Sequence, residues 1–424
     1  MTRLVTVASG CRWCYLSLML VGMLLSFAKW LVFSNALPPA EFGVYSTVIT
    51  TIAFLSYFGI FGLNEYLIKE GSALSGKDKA HEINLIRDDL VLIGLFNSVF
   101  MVFLTLGCIY IFGLGNLTSI QYVLLGGIFF TTVAFNIVDA SLRAALRTLS
   151  FATMVFLRAA LMVAIGYALV DYLGLTGVLL GELVSGFAGI FYAYYIAGPR
   201  PIFSIAKLSF QRIFEYLSKG ITFLGLQTFR YFSFAVDKWI VGLFLGAAAV
   251  GVYSFLLITF LALTAMAGIV NAVVIPKIIS NFGKNADVSD LYLFSMRLSF
   301  AFLAVFLLLA PIYLYLAEIL IDMYFLKYTF DDLFWSLVFI YFGSALHVSL
   351  HFFDGLFYSL SRQFELTLIA ATGLVIFVVL FFLVGAFSPT IKHFLLAFLL
   401  AKALLFGITI FRVVSTIGYQ NINK

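Results

Sequence analysis

Five basic side chains stand inside stretches of sequence that are otherwise almost wholly apolar: Lys29, Arg158, Arg230, Lys238 and Lys402. Acidic groups interrupt similar stretches at Glu182, Asp237 and Asp354. An ionisable side chain in hydrocarbon costs about 2.5–3.5 kcal/mol on insertion scales, so each needs a reason to be there. A buried Lys or Arg can replace water around an anionic oxygen, which hydrocarbon cannot solvate. Arg230 and Asp237 are seven residues apart. At 3.6 residues per turn that puts them on one helix face, about 10.5 Å from each other.

The same charges also have a structural reading. Lys238 can be neutralised by the adjacent Asp237, or can reach outward beside Trp239. Glu182 is then a counter-ion, and Asp139 with Arg143, at i,i+4, forms an ion pair. The five cations are taken here as candidate anion-binding residues lining a hydrated lumen, with the structural reading as the alternative. His347, His351 and Asp354 fall at i, i+4 and i+7 on one helix face. That spacing suits a metal site or a proton relay. It equally suits a polar stripe held by hydrogen bonds, which is the preferred reading because two histidines alone are a weak signal.

Other chemistry is sparse. Cys11, Cys14 and Cys108 are too few for a disulfide framework, and one C-x-x-C without a second pair is weak evidence for metal. There is no phosphate-cradling G-x-x-x-x-G-K loop and no nucleophile elbow. Neither metal nor cofactor is expected, nor an enzyme activity, nor ATP-driven transport by this chain alone.

The elements that must position these residues follow from composition. The 424 residues are 63% hydrophobic and 11% charged, with mean hydropathy +1.11. Soluble chains carry roughly 45–50% apolar and about 25% charged residues. An ordinary globular enzyme is excluded, as is a disordered or nucleic-acid-binding chain, which would need the missing charge. A spanning helix takes about 20 apolar residues. Runs of that length lie near 15–37, 42–63, 90–113, 118–140, 150–170 and 175–197, then near 220–244, 249–274, 291–316, 333–358, 365–387 and 391–411. The expected fold is an all-α polytopic membrane protein of about twelve spans. The first run, at about 23 residues, is too long for a signal peptide and is read as a retained anchor.

With the N-terminus inside, the inner connections hold 18 Lys and Arg, and the outer ones hold only Lys327 and Lys392. That asymmetry places both termini in the cytoplasm and accounts for the net charge of +5 without a nucleic-acid partner. The longest outer connection is expected at 317–332. The inner ones at 64–89 and 198–219 are polar and basic enough to lie on an anionic leaflet. The aromatic excess of 49 Phe and 22 Tyr is mostly lipid-facing bulk and interface belt. Phe229, Tyr231 and Phe234 are candidates for stacking on sugar rings.

The two halves of the chain repeat a pattern. Lys29-Trp30, followed by Phe42-Gly43-Val44-Tyr45-Ser46, recurs as Lys238-Trp239, followed by Val250-Gly251-Val252-Tyr253-Ser254. The two motifs recur at offsets of 209 and 208 residues, at matching places in the hydropathy plan. Each half holds six spans, so the repeat is parallel, with its axis along the membrane normal. Two six-helix bundles are expected, 1–211 and 212–424, around a central cleft that rocking would open to either side. That plan points to transport.

The segment Leu37-Pro38-Pro39-Ala40-Glu41-Phe42-Gly43-Val44-Tyr45-Ser46 resembles the L-x-P-x-E-F-G-x-Y start of the second helix of polysaccharide flippases. Asp237-Lys238-Trp239-Ile240-Val241-Gly242, with Gly246-Ala247 and the Gly-Val-Tyr-Ser run, resembles the matching seventh-to-eighth helix signature, and Pro276 also fits. The motifs cover about 60 residues and the helix plan the whole chain. The family is the Wzx-type O-antigen and polysaccharide flippases of the multidrug/oligosaccharidyl-lipid/polysaccharide exporter superfamily. The resemblance implies a bacterial inner-membrane protein that flips undecaprenyl-diphosphate-linked oligosaccharide to the outer leaflet, with membrane lipids and polysaccharide-assembly proteins as further partners. On that footing Lys29, Arg158, Arg230, Lys238 and Lys402 would guide a diphosphate headgroup. The alternatives are a cation-coupled drug exporter of the same superfamily, which the basic mid-depth charges disfavour, and a membrane glycan polymerase or ligase, which short outer connections disfavour.

Overall fold

A computed structural model describes residues 2–68, 80–111, 117–145, 147–196, 210–282, 288–359 and 362–422. Among them every regular element is helical, and eleven helices are long and apolar enough to cross a membrane. The chain is a multi-pass membrane protein. Lipid offers backbone groups no partner, and a helix satisfies its own.

The chain parts into two compact units, Met1–Ala235 and Val236–Lys424. The boundary falls inside a helix. The first unit holds α1 (Thr2–Ala36), α2 (Pro39–Ile60), α3 (Ala80–Ile111), α4 (Ser119–Ala144), α5 (Thr148–Leu173) and α6 (Leu175–Phe191). It also takes the first part of α7 (Phe210–Phe282). The second unit holds the rest of α7, α8 (Val288–Tyr324), α9 (Leu333–Leu350), the short α10 (Asp354–Ser359), α11 (Gln363–Phe387) and α12 (Ile391–Ile422).

Local sequence sets the turns. Pro38 and Pro39 end α1 and start α2, where a missing N–H costs nothing. Thr118 and Gln121 cap the start of α4 reciprocally. Glu41 in the first turn of α2 accepts a hydrogen bond from the Leu175 N–H, at 3.3 Å, and so caps the N-terminus of α6. The Glu in the P-x-E-F-G segment therefore ties α2 to the α5–α6 turn.

At 1.5 Å per residue the 73 residues of α7 would run about 110 Å if straight. They do not. Gly246 has φ 82° and ψ 176°, and the Tyr253 hydroxyl donates to Asp237 Oδ2 at 3.1 Å. Sixteen residues of straight helix would separate those two by about 24 Å. The helix folds back at Gly246, so the candidate span at Tyr231–Thr264 is two spans, and the plan of twelve is recovered. Helix α8 continues to Tyr324, leaving a connection of 325–332 with one short turn, Leu326–Tyr328, shorter than the expected 317–332.

Candidate functional site

The repeated motifs meet in space within each unit. In the first, Lys29 of α1 and Tyr45 of α2 converge on Glu182 of α6. The ammonium donates to Oε1 at 3.1 Å, and the Tyr45 hydroxyl donates to the same oxygen at 2.8 Å. Glu182 is 3% exposed and Lys29 16%. Trp30 packs on Phe42 and Tyr45, and Phe33 meets Tyr45 edge-on, so the motif's aromatics staple α1 to α2. Arg158 of α5 adds a favourable charge at Glu182 and lies over the Phe135 ring, 4.3 Å from its centroid.

The second unit builds the same group from different parts. Tyr253 donates to Asp237, and Lys238 lies 3.7 Å from the other carboxylate oxygen, which also accepts the Lys238 backbone N–H at 2.7 Å. Asp237 and Lys238 are both buried. Lys402 of α12 adds a favourable charge at Asp237 and lies over Phe398 and Phe377, at 5.3 and 5.5 Å. Each unit thus collects two cations, one carboxylate and one tyrosine hydroxyl. The Lys of Lys-Trp and the Tyr of Gly-Val-Tyr-Ser have the same task in both. The carboxylate comes from the sixth span in one unit and from the residue beside the lysine in the other.

These clusters sort the sequence candidates. Lys238 is ion-paired with Asp237, as its structural reading has it, and Lys29 is ion-paired with Glu182, a partner that the sequence did not name. Arg158 and Lys402 form no hydrogen bond or ion pair among the described residues and rest on aromatic faces. Arg230 lies on α7, but its side chain is outside the described residues, as are those of Cys11 and Pro276 and the basic segments 69–79 and 197–209. Tyr45 and Tyr253 were missed as polar partners. Their signal was present, because each lies in the run that reveals the repeat.

Other expectations resolve locally. Arg143 pairs with Asp139 at 2.6 Å. Arg87 is buried, paired with Asp88 at 2.8 Å and stacked on Tyr194. Asp89 takes Arg212 at 3.3 Å and the Tyr216 hydroxyl at 3.4 Å, near the start of α7. Outside the spans, burial raises the carboxyl of Glu65 above the usual range, opposed by Arg143 and supported by Asp139. Tyr231 stacks on Tyr57 with centroids 4.0 Å apart, so one of its faces is already covered.

The comparisons bear on the same residues. Residues 12–282, which contain both copies of the repeated motif, match the family described as "Polysaccharide biosynthesis protein". The chain belongs to that family. No curated protein matches it in sequence. Among solved structures, an inward-facing multidrug resistance MATE family transporter of the MOP superfamily is similar, with TM-score 0.68 and 16% identity, covering 95% of this chain and 98% of its own. The lipid II flippase MurJ, inward closed, has the same TM-score and identity, with 94% and 87% covered. The Vibrio cholerae MATE transporter VcmN, as its D35N mutant, gives 0.61 and 14%, with 98% of both chains covered. At these identities the likeness is one of fold. This polysaccharide biosynthesis family member thus has the helical architecture of exporters and flippases of the MOP superfamily.

Proposed function

We propose that this chain is a flippase for undecaprenyl-diphosphate-linked oligosaccharide, an O-antigen or similar repeat unit, in a bacterial inner membrane with both termini cytoplasmic. The two six-helix halves, taken as 1–211 and 212–424, would alternate access to the headgroup while the lipid tail stays in the bilayer. One observation carries the reading: each unit gathers two cations around one carboxylate, which the lysine of the Lys-Trp pair already holds, so that Arg158 and Lys402 are the charges in excess and rest on aromatic faces. A cation in excess of the carboxylate beside it, inside a span, suits a transient anion. Of the five candidates, Arg158 and Lys402 meet the diphosphate first. Arg230 assists, and Lys29 and Lys238 hold the carboxylates. The membrane potential, negative inside, favours outward movement by about 2.3 kcal/mol per charge per 100 mV. A drug exporter for cations fits less well, because Glu182 and Asp237 are each held by a lysine and a tyrosine. Deleting the gene tests the function. Lipid-linked repeat units should accumulate on the inner leaflet, and unchanged surface glycan without accumulation would exclude it.

A further inference from the structure

Helix α7 runs from one unit into the other, and its two parts are held very differently. From Ala235 to Val241 every residue is buried. From Gln211 to Phe234 only Tyr216 and Gly220 are buried among the described side chains, and Phe214 and Ile221 are 66% and 56% exposed. The change falls at Ala235, where the chain parts into its two units. In a bilayer apolar surface gains little by leaving lipid for protein, so helices are held by close packing and polar contacts. The first part of α7 is therefore attached to the first unit by a short set of ties.

Those ties lie along α2 and α3. Asp89 takes Arg212 at 3.3 Å and the Tyr216 hydroxyl at 3.4 Å. Tyr66 packs on Tyr216 and holds the Lys219 ammonium 5.6 Å from its ring centre. Further along, Tyr57 stacks on Tyr231, and Phe54 meets Phe232 with centroids 4.8 Å apart. Between these two groups the backbones touch. Phe61 and Gly62, with φ of 57° and 71°, end α2 in a left-handed turn that lays the Phe61 carbonyl against Gly220. A Cβ at Gly220 would run into that carbonyl, and one at Gly62 into the carbonyl of Gly220. Left-handed backbone is rare for a bulky residue such as Phe61 and marks a conformation that its surroundings impose.

The internal repeat assigns α7 a different seat. In the first half Gly22 of α1 packs on Phe156 of α5, the fifth span. The offset of 209 residues makes Tyr231 the counterpart of Gly22, and α11 is the counterpart of α5. Past Ala235 α7 keeps to that plan, since Phe244 meets Phe382 of α11. Before Ala235 it departs from it, because Tyr231 rests on α2. The first part of α7 thus has two seats, one observed in the first unit and one that the repeat provides in the second. Two discrete packings of one element are what a switching segment requires.

We propose that residues 210–234 of α7 are a releasable strap, seated on α2 and α3 in one state and lifted from them in another, with the pivot at Ala235. Its part in transport rests on the flippase reading, whereas the release itself does not. Leu63, fully buried where Gly220 meets α2, reports the release. Full-length Leu63→Cys protein, with Cys11, Cys14 and Cys108 changed to Ser, is labelled in nanodiscs with a water-soluble maleimide. Gly220→Ala, whose Cβ denies the strap its seat, should speed labelling about tenfold, and the milder Asp89→Asn about threefold. Labelling that neither change speeds overturns the strap. Val178→Cys, fully buried in α6, should label no faster in either variant. An equal acceleration there means loss of the fold and also overturns it. For transport, Phe54→Cys/Phe232→Cys is joined by a short bifunctional thiol reagent in liposomes carrying undecaprenyl diphosphate as the probe. Joining should slow transfer between leaflets about tenfold, and cleaving the link should restore it. Transfer that persists through the link overturns the strap's part in transport and leaves the flippase reading intact. No transfer by the unmodified wild type overturns the flippase reading, and labelling at position 63 then decides the strap alone.

Discussion

At the scale of single residues, the ion pairs make stability and transport separable. Glu182→Gln leaves the half-buried Lys29 with a neutral partner and should destabilise the protein by about 3 kcal/mol. The double change Lys29→Met/Glu182→Gln should recover most of that loss. Thermal unfolding in detergent reads both, and a double variant no better than the single one would show that the pair has little to do with folding. Glu65 gives a pH prediction. Its folded pKa is raised above the ordinary 4.5, so its contribution is present at low pH and is lost as pH rises through the folded value. The melting temperature of the wild type should fall relative to that of Glu65→Gln between pH 4 and pH 7.5, and parallel curves would contradict the burial argument. The cost of burying charge made Lys29, Arg158, Lys238 and Lys402 legible in the sequence. Their partners were less so. Glu182 lies 153 residues from Lys29, and no local pattern pairs them.

Among the elements, the hinge at Gly246 is the most exposed to test. A Cβ there would meet nothing within 4 Å, so a substitution acts through the backbone alone. Its φ of 82° with an extended ψ is a region essentially closed to other residues. Gly246→Ala should cost about 1–3 kcal/mol. It should also weaken the Asp237–Tyr253 contact, seen as increased reactivity of a cysteine placed at 253. Unchanged stability and reactivity would mean that the reversal does not depend on this conformation. Hydropathy placed the spans well because apolar length is a direct requirement of the bilayer. It did not place element ends. Helix α8 runs on through Glu318 and Asp322 to Tyr324, past the end that hydropathy set at 316, whereas the division expected between 244 and 249 does fall at Gly246. The role of Glu41 as the cap of α6 was likewise invisible, since it depends on a chain segment 134 residues away.

For the whole molecule, the expectation is two similar bundles whose repeated motifs each close a cluster of two cations and one carboxylate. Cysteine labelling should find position 327 reachable from outside the cell and position 207 only from inside, and the reverse would sink the orientation. The repeat was legible as Lys-Trp and Gly-Val-Tyr-Ser, but not that both motifs serve one carboxylate, because the acid is supplied differently in each half. The claim on which the account turns is that Arg158 and Lys402 guide an anionic headgroup. The direct measurement is transfer of undecaprenyl-diphosphate-linked oligosaccharide between leaflets of liposomes containing Arg158→Gln, Lys402→Gln or both. Each single change should slow transfer at least tenfold and the double change should abolish it, with folding and insertion preserved. Arg158→Lys should be milder, since it keeps the charge and loses only the planar fork. Wild-type transfer by the folded double variant would contradict the account and return both residues to a structural role.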